Sequence, residues 1–223
     1  MIIEHASVNW KNFIPKNVKT LILGSFNPNN PSNNTDYFYG RSSNYFWKTI
    51  ANILGKNEDY FFGSIERKIQ VMEKYEFCFF DLISNINVIG LNQEHEKSFI
   101  DLKIFIEFSD SVLFTSKTNF QKNNINVLRN YNHEILNFID IYNPKRIIHT
   151  LGNNTIKTNF STNPKEKNLG VNGFNGFVNL IVDKCYHFEP ISYSPSGRAV
   201  RVGGKDYYEN YKKWLKVQLE INN

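Results

Sequence analysis

The chain has only two cysteines, Cys78 and Cys185, too few for a four-cysteine zinc cluster or a disulfide framework. Each sits among apolar or aromatic neighbours and reads as a free thiol. The five histidines, His5, His95, His133, His149 and His187, never fall into HxxxH or HExxH spacing, and no carboxylate cluster suits magnesium. No metal and no other cofactor is therefore expected. A Gly-x-x-x-x-Gly-Lys-Ser/Thr loop is missing, which weighs against a phosphate-loop nucleotide hydrolase or transferase. No apolar run approaches the roughly 18 residues that span a bilayer, and the first residues lack a signal core. A soluble, cytoplasmic protein is the expectation.

Basic and aromatic residues are what the chain does hold. Lysine and arginine outnumber aspartate and glutamate by 26 to 21, a net charge of +5 with a pI near 9.0, which favours polyanionic partners without requiring one. Aromatics make up 15% of residues, with 19 phenylalanines and 12 tyrosines, more than a core alone calls for. At 223 residues the chain is long enough for one α/β domain with a substantial core, so a single domain over 1–223 is expected.

Hydrophobic patterning orders the elements. An apolar run over 18–26 predicts a buried parallel strand, and helix-spaced Tyr45, Trp47, Ile50, Ala51 and Leu54 predict a helix over 44–54. A second helix over 64–75, with Ser64 as N-cap and Arg67 and Lys68 on its wet side, leads into a buried strand over 77–83 that carries Asp81. Further expectations are a helix over 97–107, a short strand over 111–115, a helix over 135–142, a strand over 145–151 and a helix to residue 160. A surface loop over 159–175, a strand over 177–182 and a terminal helix over 205–219, with Tyr208, Tyr211, Trp214 and Leu215 inward, complete the order. Alternating strands and helices predict a three-layer α/β/α sandwich around a mostly parallel sheet of about four to five strands, with its ligand crevice at the strand carboxyl ends.

Polar and glycine-rich text gathers at those ends. Leu23-Gly24-Ser25-Phe26-Asn27-Pro28 closes the first strand, and Tyr39 precedes Asn44-Tyr45-Phe46-Trp47 by five positions. Asp81 lies in Phe77-Cys78-Phe79-Phe80-Asp81-Leu82-Ile83, and Ile148-His149-Thr150-Leu151-Gly152-Asn153 and Ser194-Pro195-Ser196-Gly197-Arg198 follow. Together, in order over 18–215, these segments resemble the uracil-DNA glycosylase superfamily, and the likeness is to its mismatch-specific (thymine/uracil) and hypoxanthine-type branches. The first segment resembles the family's Gly-x-Asn-Pro-Gly or Gly-Ser-Phe-Pro loop, and the last its Asn-Pro-Ser-Gly or Ser-Pro-Ala-Asn loop. One residue too many separates Gly24 from Asn27 for a clean Gly-x-Asn-Pro. Tyr193 and Ser194 stand where uracil-selective members carry a histidine.

The resemblance implies excision of a deaminated, mismatched or modified base by hydrolysis of its N-glycosidic bond, by a monofunctional, metal-independent enzyme acting on DNA as a monomer. Asn27 or Asn44 would orient the attacking water, and the alternative stays open; Asn44 also suits a helix N-cap. Gly24, Ser25, Phe26, Tyr39 and Asp81 would form the base site, with Tyr39 as the stacking face and Asp81 accepting from a base N–H. Arg41, Ser194, Ser196, Gly197 and Arg198 would meet DNA, with Arg201 and Lys205 adding charge behind them. The rival reading is a binding module on the same fold that recognises a base without cutting it.

Overall fold

A computed structural model describes residues 1–9, 13–29, 36–90, 93–94, 97, 126–152 and 174–221. The continuous apolar run Thr20–Gly24 forms strand β2, buried at every position, as a strand covered on both faces must be. It is flanked in parallel by β3 (Phe77–Asp81) and β6 (Arg146–His149), giving the order β3-β2-β6. Register aligns Gly24 with Asp81 and Leu23 with His149, so the three strands end together. That common edge is where the polar text collects.

Among the described residues a second three-stranded sheet forms, antiparallel, in the order β1-β4-β5. Its strands are β1 (Ile2–Glu4), β4 (Ile83–Ile89) and β5 (Asn126–Tyr131). Only Leu82 separates β3 from β4, and the turn is tied to the first sheet by Leu82 N–H to Gly24 O at 3.0 Å and Ile83 N–H to Ser25 O at 3.1 Å. The mixed α/β character expected from patterning is present. Among the described residues the strands fall into two sheets of three, one of them parallel, because the chain leaves the parallel sheet at Asp81 and pairs antiparallel from Ile83 onward.

The helices α1 (Phe46–Ile53), α2 (Ile65–Tyr75) and α3 (Glu134–Tyr142) fall where periodicity puts them. The Ser64 side chain caps α2 by accepting from Arg67 N–H. Lys68 departs from expectation: it is fully buried, with its Nζ 2.5 Å from Asp36 Oδ2 and 6.0 Å from the Trp47 ring centroid. A charge is tolerated there because it is paired. The strand expected over 177–182 is part of helix α4 (Phe174–Lys184), in which Phe177, Val178 and Ile181 are buried and Val182 is exposed. A short apolar run suits either element, and here burial follows helical spacing.

The last helix, α5 (Gly197–Gln218), begins eight residues earlier than the expected 205 and breaks at Gly204, whose φ of 68° is outside helical space. Tyr211 and Leu215 are buried while Tyr208 and Trp214 are half-buried. The abundance of aromatics is largely spent on the core, where Tyr37, Phe38, Phe46, Trp47, Phe61, Phe77 and Phe79 are all nearly inaccessible. The elements expected over 97–107 and 111–115, the helix to residue 160 and most of the 159–175 loop lie outside the described residues.

Candidate active site

The carboxyl edge of the parallel sheet opens into a cavity of about 240 Å³. Gly24, Ser25, Phe26, Asn27, Tyr39 and Asp81 line it, together with Arg41, Asn44, Ser194 and Ser196. Phe38, Thr150 and Pro195 complete the wall. Two expected residues stand outside it: Gly197 is buried behind the rim and Arg198 is exposed beyond it.

Gly24 is required at its place by close approach. A Cβ there would meet Asp81 Oδ1 at 2.0 Å and Tyr39 Oη at 2.8 Å, so only glycine lets the carboxylate lean across the strand end. On its other oxygen, Oδ2, Asp81 is bonded at 2.6 Å to Nε2 of His5. Both side chains are largely withdrawn from solvent, at 9% and 7% exposure. His5 carries no signal in its own neighbourhood of the sequence; only the pairing of β1 with β4, which brings Ile3 opposite Ile86, delivers it to Asp81.

Tyr39 adopts φ 56°, left-handed space that a bulky residue enters only under constraint. Its hydroxyl is 2.7 Å from Thr150 Oγ1, and its ring stacks on Phe46 with centroids 5.0 Å apart. Thr150 is fixed in turn by its backbone N–H to Leu23 O at 3.0 Å. The strained tyrosine is thereby tied to the ends of β2 and β6.

The two asparagines are held differently. Asn44 Oδ1 accepts from Phe46 N–H at 2.8 Å, closing the start of α1, while Asn27 Oδ1 accepts from Arg41 Nη2 at 3.2 Å. Asn27 is also set by backbone, its carbonyl accepting from Ala6 N–H at 2.7 Å. Burial of the Arg41 guanidinium lowers its pKa from the usual arginine value, a sign of partial desolvation that strengthens its pull on any anion nearby.

The segment from Ser194 is braced against the same place. Ser194 N–H donates to Tyr207 Oη at 2.8 Å, Tyr45 N–H donates to Pro195 O at 2.8 Å, and Ser196 Oγ caps α5 by accepting from Ala199 N–H at 3.1 Å. A Cβ on Gly197 would stand 2.5 Å from Ser43 O, so this glycine permits the start of α5 to pack on the turn that carries Asn44. No group of three or more potential metal ligands occurs among the described residues. Among those residues no helix is long and apolar enough to cross a membrane.

Neither a protein-family model nor a curated protein matches the chain. The fold does match the solution NMR structure of a candidate uracil DNA glycosylase from Methanosarcina acetivorans, with a TM-score of 0.53 over 98% of this chain and 99% of that one. Sequence identity between the two is 14%, a likeness of fold. The architecture is therefore a mixed α/β fold of the kind seen in that structure.

Proposed function

We propose that the protein is a DNA glycosylase that flips a deaminated, mismatched or modified base, of uracil or hypoxanthine type, into this cavity and hydrolyses its N-glycosidic bond. The observation that carries the reading is the convergence of Asn27, Asn44, Tyr39, Arg41 and Asp81 on one cavity at the ends of the parallel strands. Its volume lies below the roughly 300–1,000 Å³ of drug-sized sites and suits a single planar base. The fold likeness supports the same class.

In this reaction the C1′–N bond breaks, the base leaves with the bonding electrons and the sugar becomes oxocarbenium-like before water adds at C1′. Extruding the nucleotide costs roughly a few kcal/mol, least for a mismatched or damaged pair. Tyr39 stacks on the base, Asp81 accepts from its N–H, and Arg41 faces the negative charge that develops on it. Asn27 or Asn44 holds the water through the second lone pair of its amide oxygen; neither is a strong base, which a dissociative reaction tolerates. Ser194, Ser196 and the start of α5 meet a phosphate, and Arg198, with Arg201 and Lys205, grips the backbone outside the cavity.

The test is incubation of the purified protein, without metal, with single-stranded and duplex oligonucleotides carrying uracil, hypoxanthine, xanthine or a T·G mismatch, followed by alkaline scission of abasic sites. Scission at one of these bases is expected, and its loss in the Asn27→Ala, Asn44→Ala double variant with DNA binding retained. Full activity in that variant removes both asparagines from the chemistry. One observation favours a binding module instead: both amide oxygens already accept hydrogen bonds from the protein. Tight binding of a base with no abasic product would establish that reading.

A further inference from the structure

The Asp81 carboxylate is divided between two sides of a wall. Oδ2 takes the 2.6 Å bond from His5, while Oδ1 lies against Gly24, the in-register partner of Asp81, and both of those residues line the cavity. His5 stands behind the wall, in a separate cavity of about 410 Å³ shared with Ser7 and Ser84. Oδ1 is thus the oxygen offered to a bound base.

The proton on His5 is located by its other ring nitrogen. Ser7 backbone N–H donates to Nδ1 at 3.0 Å, and because that group can only donate, Nδ1 carries the lone pair and the ring proton sits on Nε2. Ser7 Oγ, 2.8 Å from Nδ1, turns its hydroxyl hydrogen to the same nitrogen. The ring has little room to turn. The His5 backbone N–H donates to Ser84 O at 3.2 Å, and the rings of Phe26 and Phe38 flank the imidazole at 5.8 and 5.9 Å.

We propose that His5 is a positioning residue that fixes the hydrogen-bonding sense of Asp81: donating from Nε2, it anchors Oδ2 and leaves Oδ1 facing the cavity as an acceptor. The substrate class follows as a base whose inward edge carries N–H or N–H₂. This rests on the base-excision reading above. A donor lost behind the wall alters how the base is read, although His5 touches neither base nor sugar.

The test compares cleavage of the preferred base with cleavage of its isosteric deaza analogue, in which the ring N–H is replaced by C–H. The wild type should prefer the N–H base by about tenfold or more, the scale of one hydrogen bond to a charged acceptor. His5→Leu should lower kcat/KM by about tenfold, mainly through KM, and shrink that preference, while His5→Gln, whose amide N–H₂ can donate to Oδ2, should recover to within about threefold. Asp81→Asn is the sharper case. The His5 N–H turns the amide oxygen toward itself and the N–H₂ into the cavity, donor against donor, so Asp81→Asn should cleave more slowly than Asp81→Ala. Adding His5→Leu to Asp81→Asn should then raise the rate, because the amide is free to turn over.

Unchanged kcat/KM in His5→Leu, or no recovery in His5→Gln, overturns the proposal. A proton–nitrogen correlation spectrum of the free protein tests the tautomer independently: Nε2–H is expected, and Nδ1–H overturns the proposal whether or not any base is cut. If the wild type cleaves nothing, the glycosylase reading fails, and the spectrum still decides the sense of the His5–Asp81 bond.

Discussion

Gly24 and Asn44 are residues at which space and hydrogen bonding set the outcome of a single change. Gly24→Ala drives a methyl to 2.0 Å from Asp81 Oδ1, and either the carboxylate or the strand end must move. Overpacking of this kind costs about 1–3 kcal/mol, and a displacement near 1 Å at a reacting site lowers rate by roughly 100-fold. Both are expected, measured by denaturant unfolding and single-turnover cleavage. Asn44 does two jobs that can be separated. Its Oδ1 accepts from Phe46 N–H just ahead of α1, whose N-cap is Tyr45, so Asn44→Ala should lose about 0.5–1.5 kcal/mol of stability, the scale of one hydrogen bond. Asn44→Ser can still accept from Phe46 N–H without supplying an amide, so it should keep the wild-type Tm yet lose cleavage if Asn44 holds the water. Retained cleavage in Asn44→Ser would pass that role to Asn27.

Helix α5 and strand β1 show how whole elements build the site. The start of α5 is seated on the turn before α1 through Tyr45 N–H to Pro195 O, and Gly197 leaves the room for it. Gly197→Ala would put a methyl 2.5 Å from Ser43 O and part the two segments. Faster hydrogen exchange at the Tyr45 amide and a lower kcat/KM are expected, with the unfolding transition otherwise intact; unchanged exchange would show that the contact is not what seats α5. The residues that follow strand β1 act from the other end of the chain, Ala6 fixing Asn27 and His5 fixing Asp81. Periodicity located α1, α2, α3 and β2 well because each is a long, consistently patterned stretch with its own caps or flanking breakers. It missed β1, of three residues, together with β4 past Ile83 and β5, whose apolar residues are interrupted by Asn, and it misread 177–182, because short or broken apolar runs carry no clear period of their own.

For the whole molecule, pH and salt are the revealing variables. Burial pushes His149 down from 6.5 to about 4, against a weaker upward pull from the Pro190 backbone. Since the folded pKa lies below the unfolded one, the unfolded chain takes the proton first; stability is full above about 6.5 and is lost as pH falls toward about 4. The loss from this one group is of order 3 kcal/mol, and His149→Leu should flatten the fall in Tm over that window even if its absolute Tm differs. An equally steep fall in the variant would assign acid sensitivity to other groups. The net charge of +5 points the same way for ligands: affinity for DNA should fall with salt. Arg198→Ala should reduce the log–log salt slope by about 1, the share of one phosphate contact, and an unchanged slope would remove Arg198 from the interface.

The sequence by itself determined the mixed α/β class, the buried central strand and most of the polar groups that line the cavity, because each of these is written locally, in an apolar run or in the turn that ends it. It left open which of those groups meet. Only the tertiary structure decided that Arg198 stays outside the cavity, that Lys68 is buried against Asp36, and that His5, just after the first strand, stands behind Asp81. These outcomes depend on strand register and helix packing between residues far apart in the chain, contacts for which no local pattern carries a signal.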